Sequence, residues 1–469
     1  MTTLYRAASL ALALSAALAP ARAQQAPRPV PGLDRIRHIV VIFLENRSFD
    51  NLYGAFPGAN GLSNASESAK TQVDRDGKPY DKLPPVLNTM AKSPNAAGPA
   101  PVDARFPTDL PNGPFRAEPY VGLNQTTGDL VHRFYQEQLQ INDGKMNKFI
   151  AWTDAGSLVM SYFDGASLPL WEYAQKYTLA DNFFHAAFGG SFLNHQWLVC
   201  ACSPVFKNAP DRLVAKLDDK GALIKDGAVT PDGYAVNTLY PRGGPFPKQA
   251  TDPSFLVPPQ DQPNIGDRLT AKGVSWAWYS GGWNDAVAGR PDHDFQFHHQ
   301  AFAYFRNTAL GTKAAKAHLR DEADFVAGIH RGRLPAVSFW KPIGEENEHP
   351  GYANVASGEH HTREIIRMIE RSSLWKDTVI IVTYDENGGL WDHVAPPKID
   401  RWGPGTRIPA LVISPFAKKG FVDHTQYDTT SILKLIETRY GLAPLSSRDA
   451  AAADMTHALE LQSPGAPQR

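Results

Sequence analysis

His38-Ile39-Val40-Val41-Ile42-Phe43-Leu44, followed at once by Glu45-Asn46, decides the fold. From Ile39 onward no polar residue interrupts the run, and most of its side chains are β-branched. That composition describes a strand covered on both faces, as in a parallel sheet between helices. Thr378 to Tyr384 (TVIIVTY) reads the same way and runs into Asp385-Glu386-Asn387-Gly388-Gly389. Ile408 to Ser414 and Val274 to Ser280 are predicted as further strands, and Pro335 to Trp340 as a weaker one.

Helical spacing lies between these strands. Thr362 to Ser372 places Ile365, Ile366, Met368 and Ile369 on one face, and Thr429 to Tyr440 ends before Gly441, a natural helix stop. Strands alternating with helices predict an α/β fold with a mostly parallel central sheet flanked by helices. Two stretches rich in Pro and Gly, near 56–115 and 204–263, break the alternation. They are expected to be loop-rich insertions into one domain covering 24–469.

The chain has 469 residues, 47 basic and 48 acidic, for a formal charge of -1. A balanced charge provides no bulk attraction to nucleic acid or anionic membrane, and no nucleic-acid binding is expected. Residues 1–23 carry a lone Arg6, an apolar run from Ala8 to Leu18, and Ala21 and Ala23 around Arg22. This is the pattern of a signal peptide, and it predicts a periplasmic or secreted protein. Neither this run nor any later segment has the apolar length of a transmembrane helix. Cys200 and Cys202 are the only cysteines. In an extended segment their Cα atoms approach the limit for bridging, so two unpaired buried residues are expected rather than a mutual disulfide.

In open α/β sheets, ligands bind beyond the carboxyl ends of the strands. Two buried strands end in acidic or amide pairs, Glu45-Asn46 and Asp385-Glu386. Parallel strands would bring those oxygens to one sheet edge, where carboxylates and an amide suit a hard divalent cation. Acidic groups converging without a cation would repel each other and would be costly to desolvate. A second constellation is Gly189-Gly190-Ser191, with the serine at or near the N-cap of a helix. Free N–H groups there favour a phosphate, and a neighbouring metal would activate the hydroxyl. His132, His195, His298, His299, His349, His360, His361 and His393 match no zinc-finger or zincin spacing. Imidazoles in a phosphate site neutralise oxygens and protonate leaving groups.

Val41-Ile42-Phe43-Leu44-Glu45-Asn46-Arg47-Ser48-Phe49-Asp50 and Thr383 to Val394 (TYDENGGLWDHV) resemble the bacterial phosphoesterase family that unites phospholipases C and certain acid phosphatases. The likeness continues through Arg407-Ile408-Pro409, Ile413-Ser414-Pro415 and Tyr427 to Leu433. It implies an alkaline-phosphatase-like fold and a metal-dependent phosphoesterase, with Glu45, Asn46, Asp385 and Glu386 as metal ligands. Phospholipase C members usually carry a threonine in a Thr-x-Pro-Asn-Arg-like motif. Gly189 to His195 (GGSFLNH) is instead similar to the acid phosphatase branch. That branch implies Ser191 as nucleophile and further metal ligand, with His298, His299, His349 and His132 around the phosphate. The chain also ends at Arg469 without the extra C-terminal region common in phospholipases.

The expected function is an exported phosphomonoesterase acting on a small phosphate ester through a phosphoserine, with a divalent metal ion of open identity. The alternatives are a phospholipase C cleaving phosphodiester head groups and, in another class, a secreted metal- or phosphate-binding protein without catalysis.

Overall fold

The computed structural model describes residues 25–93, 97–250 and 252–461, so the predicted signal peptide over 1–23 lies outside them. The protein is built on an eight-stranded sheet. Its strands in chain order are β1 (His38–Leu44), β2 (Thr178–Ala180), β3 (Trp276–Ser280), β4 (Leu319–Asp321), β5 (Val337–Lys341), β6 (Thr378–Tyr384), β7 (Ala410–Ile413) and β8 (Phe421–Asp423). Across the sheet they follow the order β8-β2-β7-β6-β1-β5-β3-β4. β1 lies near the centre, parallel to β5 on one side and to β6 on the other. The apolar runs of β1 and β6 are buried, as their sequence requires.

The sheet is mostly parallel, as expected, and only β7 runs against its neighbours, β6 and β2. An apolar run reports burial on two faces and carries no direction, so Ile408 to Ser414 announced the strand but not its sense. β3 and β5 begin about two residues inside their predicted segments, and β5 ends at Lys341, one residue beyond prediction.

Three helices matter to the site. Helix α1 (Ser191–Cys200) is buried throughout its length. Helix α2 (Val355–Glu370) starts about two turns before the predicted segment, where the Asn354 side chain accepts from Ser357 N. Its early turns bury Gly358, Glu359 and Thr362, polar or small positions that hide the helical apolar pattern. Helix α3 (Thr429–Tyr440) packs beside α1 and matches prediction. It opens with a capping box from Asp428 and closes on Gly441 at φ 62°. Among the described residues, the stretches near 56–115 and 204–263 carry only short elements, including the 3-10 turns Leu62–Asn64 and Asp211–Leu213 and the hairpin of Lys216–Leu217 with Leu223–Lys225.

One expectation is corrected. Cys200 and Cys202 form a disulfide, with Cα atoms 5.1 Å apart. The segment is not extended: Ala201 is the C-cap of α1 in the left-handed conformation, at φ 46°, and it folds Cys202 back toward Cys200.

Candidate metal and phosphate site

Because β1 and β6 are adjacent and parallel, with Leu44 paired to Tyr384, their carboxyl ends stand side by side. Glu45-Asn46 and Asp385-Glu386 therefore leave the sheet together, and all four side chains are buried. Asn46 takes a left-handed conformation at φ 59°, which asparagine tolerates better than most residues. That turn aims its backbone N–H at Asp385 Oδ1, 3.0 Å away. Gly388, at φ 62°, lies against it, and a Cβ there would come within 2.7 Å of Asn46 Cβ and of its carbonyl oxygen. The two loops interlock at a point that only glycine fits.

Ser191 is the first residue of α1, one position beyond the N-cap, Gly190. Its Oγ lies 3.0 Å from Glu45 Oε2, 3.3 Å from Asn46 Oδ1 and 3.4 Å from Glu386 Oε1. One hydroxyl proton can satisfy only one of these acceptors. A Cβ at Gly190 would sit 2.8 Å from the His132 carbonyl oxygen and 3.1 Å from its ring, so this glycine lets His132 close over the serine turn.

The electrostatics are those of a cation site. Burial first, and then the Glu45 charge, raises the Asp385 carboxyl well above the usual range. Burial followed by the Asp385 charge does the same to Glu386. Glu45 is lowered: burial opposes ionisation, but His299 and Lys341 outweigh it. Asp385 Oδ2 is buried without a hydrogen-bond partner among the described residues. Carboxylate, amide and hydroxyl oxygens crowded in a desolvated pocket fit a hard divalent cation, which would remove the repulsion that raises Asp385 and Glu386.

The histidines divide. His349 Nε2 lies 3.0 Å from Asn46 Nδ2, and His132 Nε2 lies 3.5 Å from that atom and 3.9 Å from Glu386 Oε1. His299 Nε2 is 3.1 Å from Glu45 Oε1. His298 packs edge-on against His299, 4.5 Å between centroids. Burial holds His349 below the ordinary imidazole range and pushes His299 down to about 4 against the Glu45 charge. Beside His132 and Gly190 opens a cavity of about 490 Å³ that also takes in Met90, Asp129, Asn237 and Tyr352.

Two residues of this centre have no role assigned from the sequence. His195 stacks on His299, 4.9 Å between centroids, and donates from Nδ1 to the Ser191 carbonyl at 2.7 Å. Its position four residues after Ser191, on the same helix face, was the available signal. Lys341 ends β5 fully buried, with its ammonium on Glu45 Oε1 and 3.2 Å from Leu44 O. The strand-end rule that singled out Glu45 and Asp385 applies to it too, once β5 is extended by one residue.

A model of the Phosphoesterase family matches residues 36–443. Phospholipase C A of Mycobacterium tuberculosis is 26% identical over 93% of this chain and 79% of its own. The non-hemolytic phospholipase C of Burkholderia pseudomallei is 25% identical over 92% of this chain and 59% of its own. Among solved structures, a protein in the alkaline phosphatase superfamily from Vibrio parahaemolyticus aligns with a TM-score of 0.34 and 11% identity, over 62% of this chain and 64% of that one.

Proposed function

Because the chain belongs to the Phosphoesterase family and is a hydrolase of phosphoric ester bonds, we propose that it is an exported, metal-dependent phosphomonoesterase whose nucleophile is Ser191. The observation that carries this reading is the convergence of Glu45, Asn46 and Glu386 oxygens on Ser191 Oγ within 3.4 Å. Glu45, Asn46, Asp385 and Glu386, with Ser191, would hold the divalent ion. Such an ion lowers the pKa of a hydroxyl and neutralises charge developing on a phosphoryl group.

The protein's own residues complete the chemistry. Ser191 Oγ attacks phosphorus in line with the leaving oxygen, giving a phosphoserine that water then hydrolyses. The start of α1 directs backbone N–H groups toward a phosphoryl oxygen, as helix N-termini do. His349 and His132, which both reach the Asn46 amide, bind the remaining oxygens, and His132, which lines the cavity, is placed to protonate the departing alkoxide. His299 meets the other carboxylate oxygen of Glu45 at 3.1 Å, and His298 packs edge-on against His299.

The cavity has the volume for a small phosphate ester, and its lining sets Arg133 and His132 beside Asn237 and Thr238 as well as Asp129 and Asp154. The relatives named phospholipase C favour a second reading, cleavage of a lipid head group. Export is supported by the disulfide, which persists in oxidising compartments. Among the described residues no helix is long and apolar enough to cross a membrane.

The test compares aryl phosphate with phosphatidylcholine as substrates for the wild type and Ser191→Ala. Higher kcat/KM for the aryl phosphate and loss of turnover in Ser191→Ala are expected. Preference for the lipid would select the second reading, and full activity without the hydroxyl would remove Ser191 as nucleophile.

A further inference from the structure

Glu45 faces two ways. Its Oε2 accepts from Ser191 at 3.0 Å, on the side of Asn46 and Glu386. Its Oε1 meets a different group: the Lys341 ammonium, His299 Nε2 at 3.1 Å and His195 Nε2 at 3.8 Å. Nothing in the phosphoryl-transfer reading above requires a lysine at this point, and Lys341 is fully buried, away from the cavity.

The group around Oε1 has the composition of a metal site. The ligand atoms of Glu45, His195 and His299 all lie within 4.8 Å of one another. His195 donates its Nδ1–H to the Ser191 carbonyl, so the lone pair of the neutral ring is on Nε2, facing Glu45. Among the described residues the buried His195 Nε2 has no hydrogen-bond partner, and the buried His299 Nε2 faces only Glu45 Oε1. Two imidazoles and a carboxylate form a donor set that zinc uses. The oxygen they share, however, is covered by Lys341 Nζ, tethered from its other side by Leu44 O at 3.2 Å.

We infer that Lys341 stands in for a second cation: its ammonium occupies a latent Glu45–His195–His299 metal site and limits the centre to one divalent ion. This rests on the reading that Glu45, Asn46, Asp385 and Glu386 hold the first. Lysine supplies one positive charge that needs no loading and holds Glu45 Oε1, leaving Oε2 for the metal beside Ser191. The role is that of a positioning residue, since Lys341 acts on the site through Glu45.

The experiment titrates Zn²⁺ into metal-stripped full-length protein by calorimetry and measures bound zinc after gel filtration. Wild type should bind one equivalent. Lys341→Ala and Lys341→Met, the second retaining the side-chain volume, should each bind two, and adding His299→Ala to Lys341→Ala should return the count to one. A melting transition for each variant establishes that it is folded. Two equivalents in wild type would overturn the inference without recourse to any variant. One equivalent in both folded lysine variants would overturn it while leaving the first metal site standing. No binding by wild type would remove the metal reading itself, and this inference with it.

Discussion

Arg47 donates from Nε and Nη2 to the carbonyl of Glu348, at 3.2 and 2.6 Å, so the turn carrying Glu45 and Asn46 grips the residue next to His349. Glu348 is held at φ 76°, a conformation that glutamate rarely adopts. The grip explains how His349 is brought onto Asn46 from a loop about 300 residues later in the chain.

Replacing Arg47 by lysine keeps the charge and loses the fork that reaches Glu348. The expected cost is about 2 kcal/mol of stability, the scale of a buried charged hydrogen bond. The loosened His349 should also lower kcat/KM by roughly tenfold, equivalent to about 1.4 kcal/mol. Urea denaturation and steady-state kinetics measure the two, and unchanged values in both would dispose of the grip.

The buried Glu348 carboxyl donates a pH signature. Burial pushes its pKa up to about 8, against the opposing effects of Arg47 and of the Tyr384 hydroxyl, which is 2.9 Å from Oε2. Between the unfolded value near 4.5 and about 8, the folded protein holds a proton that the unfolded chain has lost. The contribution to stability is thus complete below about 4.5 and is lost as pH rises toward 8. Glu348→Gln removes this dependence. Relative to wild type the variant should gain stability from pH 5 to pH 8, at no more than about 1.4 kcal/mol per pH unit. A difference that stays constant with pH would contradict the assignment.

Chelation should act on stability as well as on turnover. Without a cation, Asp385 and Glu386 are raised by burial and by neighbouring negative charge, so metal and protons compete for the same oxygens. EDTA should abolish aryl phosphate hydrolysis and lower Tm, and added divalent ion should restore both. An ion at a thousandfold excess over its Kd stabilises by about 4 kcal/mol. Asp385→Asn should lose most of this response, and a Tm indifferent to EDTA in wild type would argue against a metal at this centre.

The Cys200–Cys202 bridge leaves no free cysteine, so native oxidised protein should give no reaction in a thiol titration. Because the bridge closes a loop of only three residues, its removal should cost little. Loop entropy gives about 1.5 kcal/mol for the Cys200→Ser, Cys202→Ser double variant. Two reactive thiols in freshly purified native protein would show that the bridge is absent.

The sheet edge was legible because β1 and β6 are buried on both faces: their apolar runs end where the chain leaves the core, and that point is the site. The direction of β7 was not legible, since an antiparallel strand in a covered sheet needs the same apolar residues as a parallel one. Ser191 was found through its glycines, one of which makes room for His132. Lys341 was missed because a lysine at a strand end is ordinarily solvated, and only the approach of Glu45 makes its burial sensible. The bridge was missed because alanine at position 201 carries no mark of the left-handed turn it adopts. His298 and His299 are indistinguishable in sequence, but only the latter comes within ion-pair distance of Glu45.

The central place of β1 also sets an order of events in time. Its partners, β5 and β6, are made only after residue 336, so the middle of the sheet pairs across a loop of about 300 residues. Closing so long a loop early is unfavourable, and folds dominated by distant pairings form slowly. A growing chain that has already exposed Glu45 and Asn46 has nothing to pair β1 with until most of the protein has been synthesised. Were the protein exported as proposed above, this delay would be useful: the polypeptide would stay threadable during translocation, and the acidic pocket would assemble only afterwards, where the cysteines could also be oxidised.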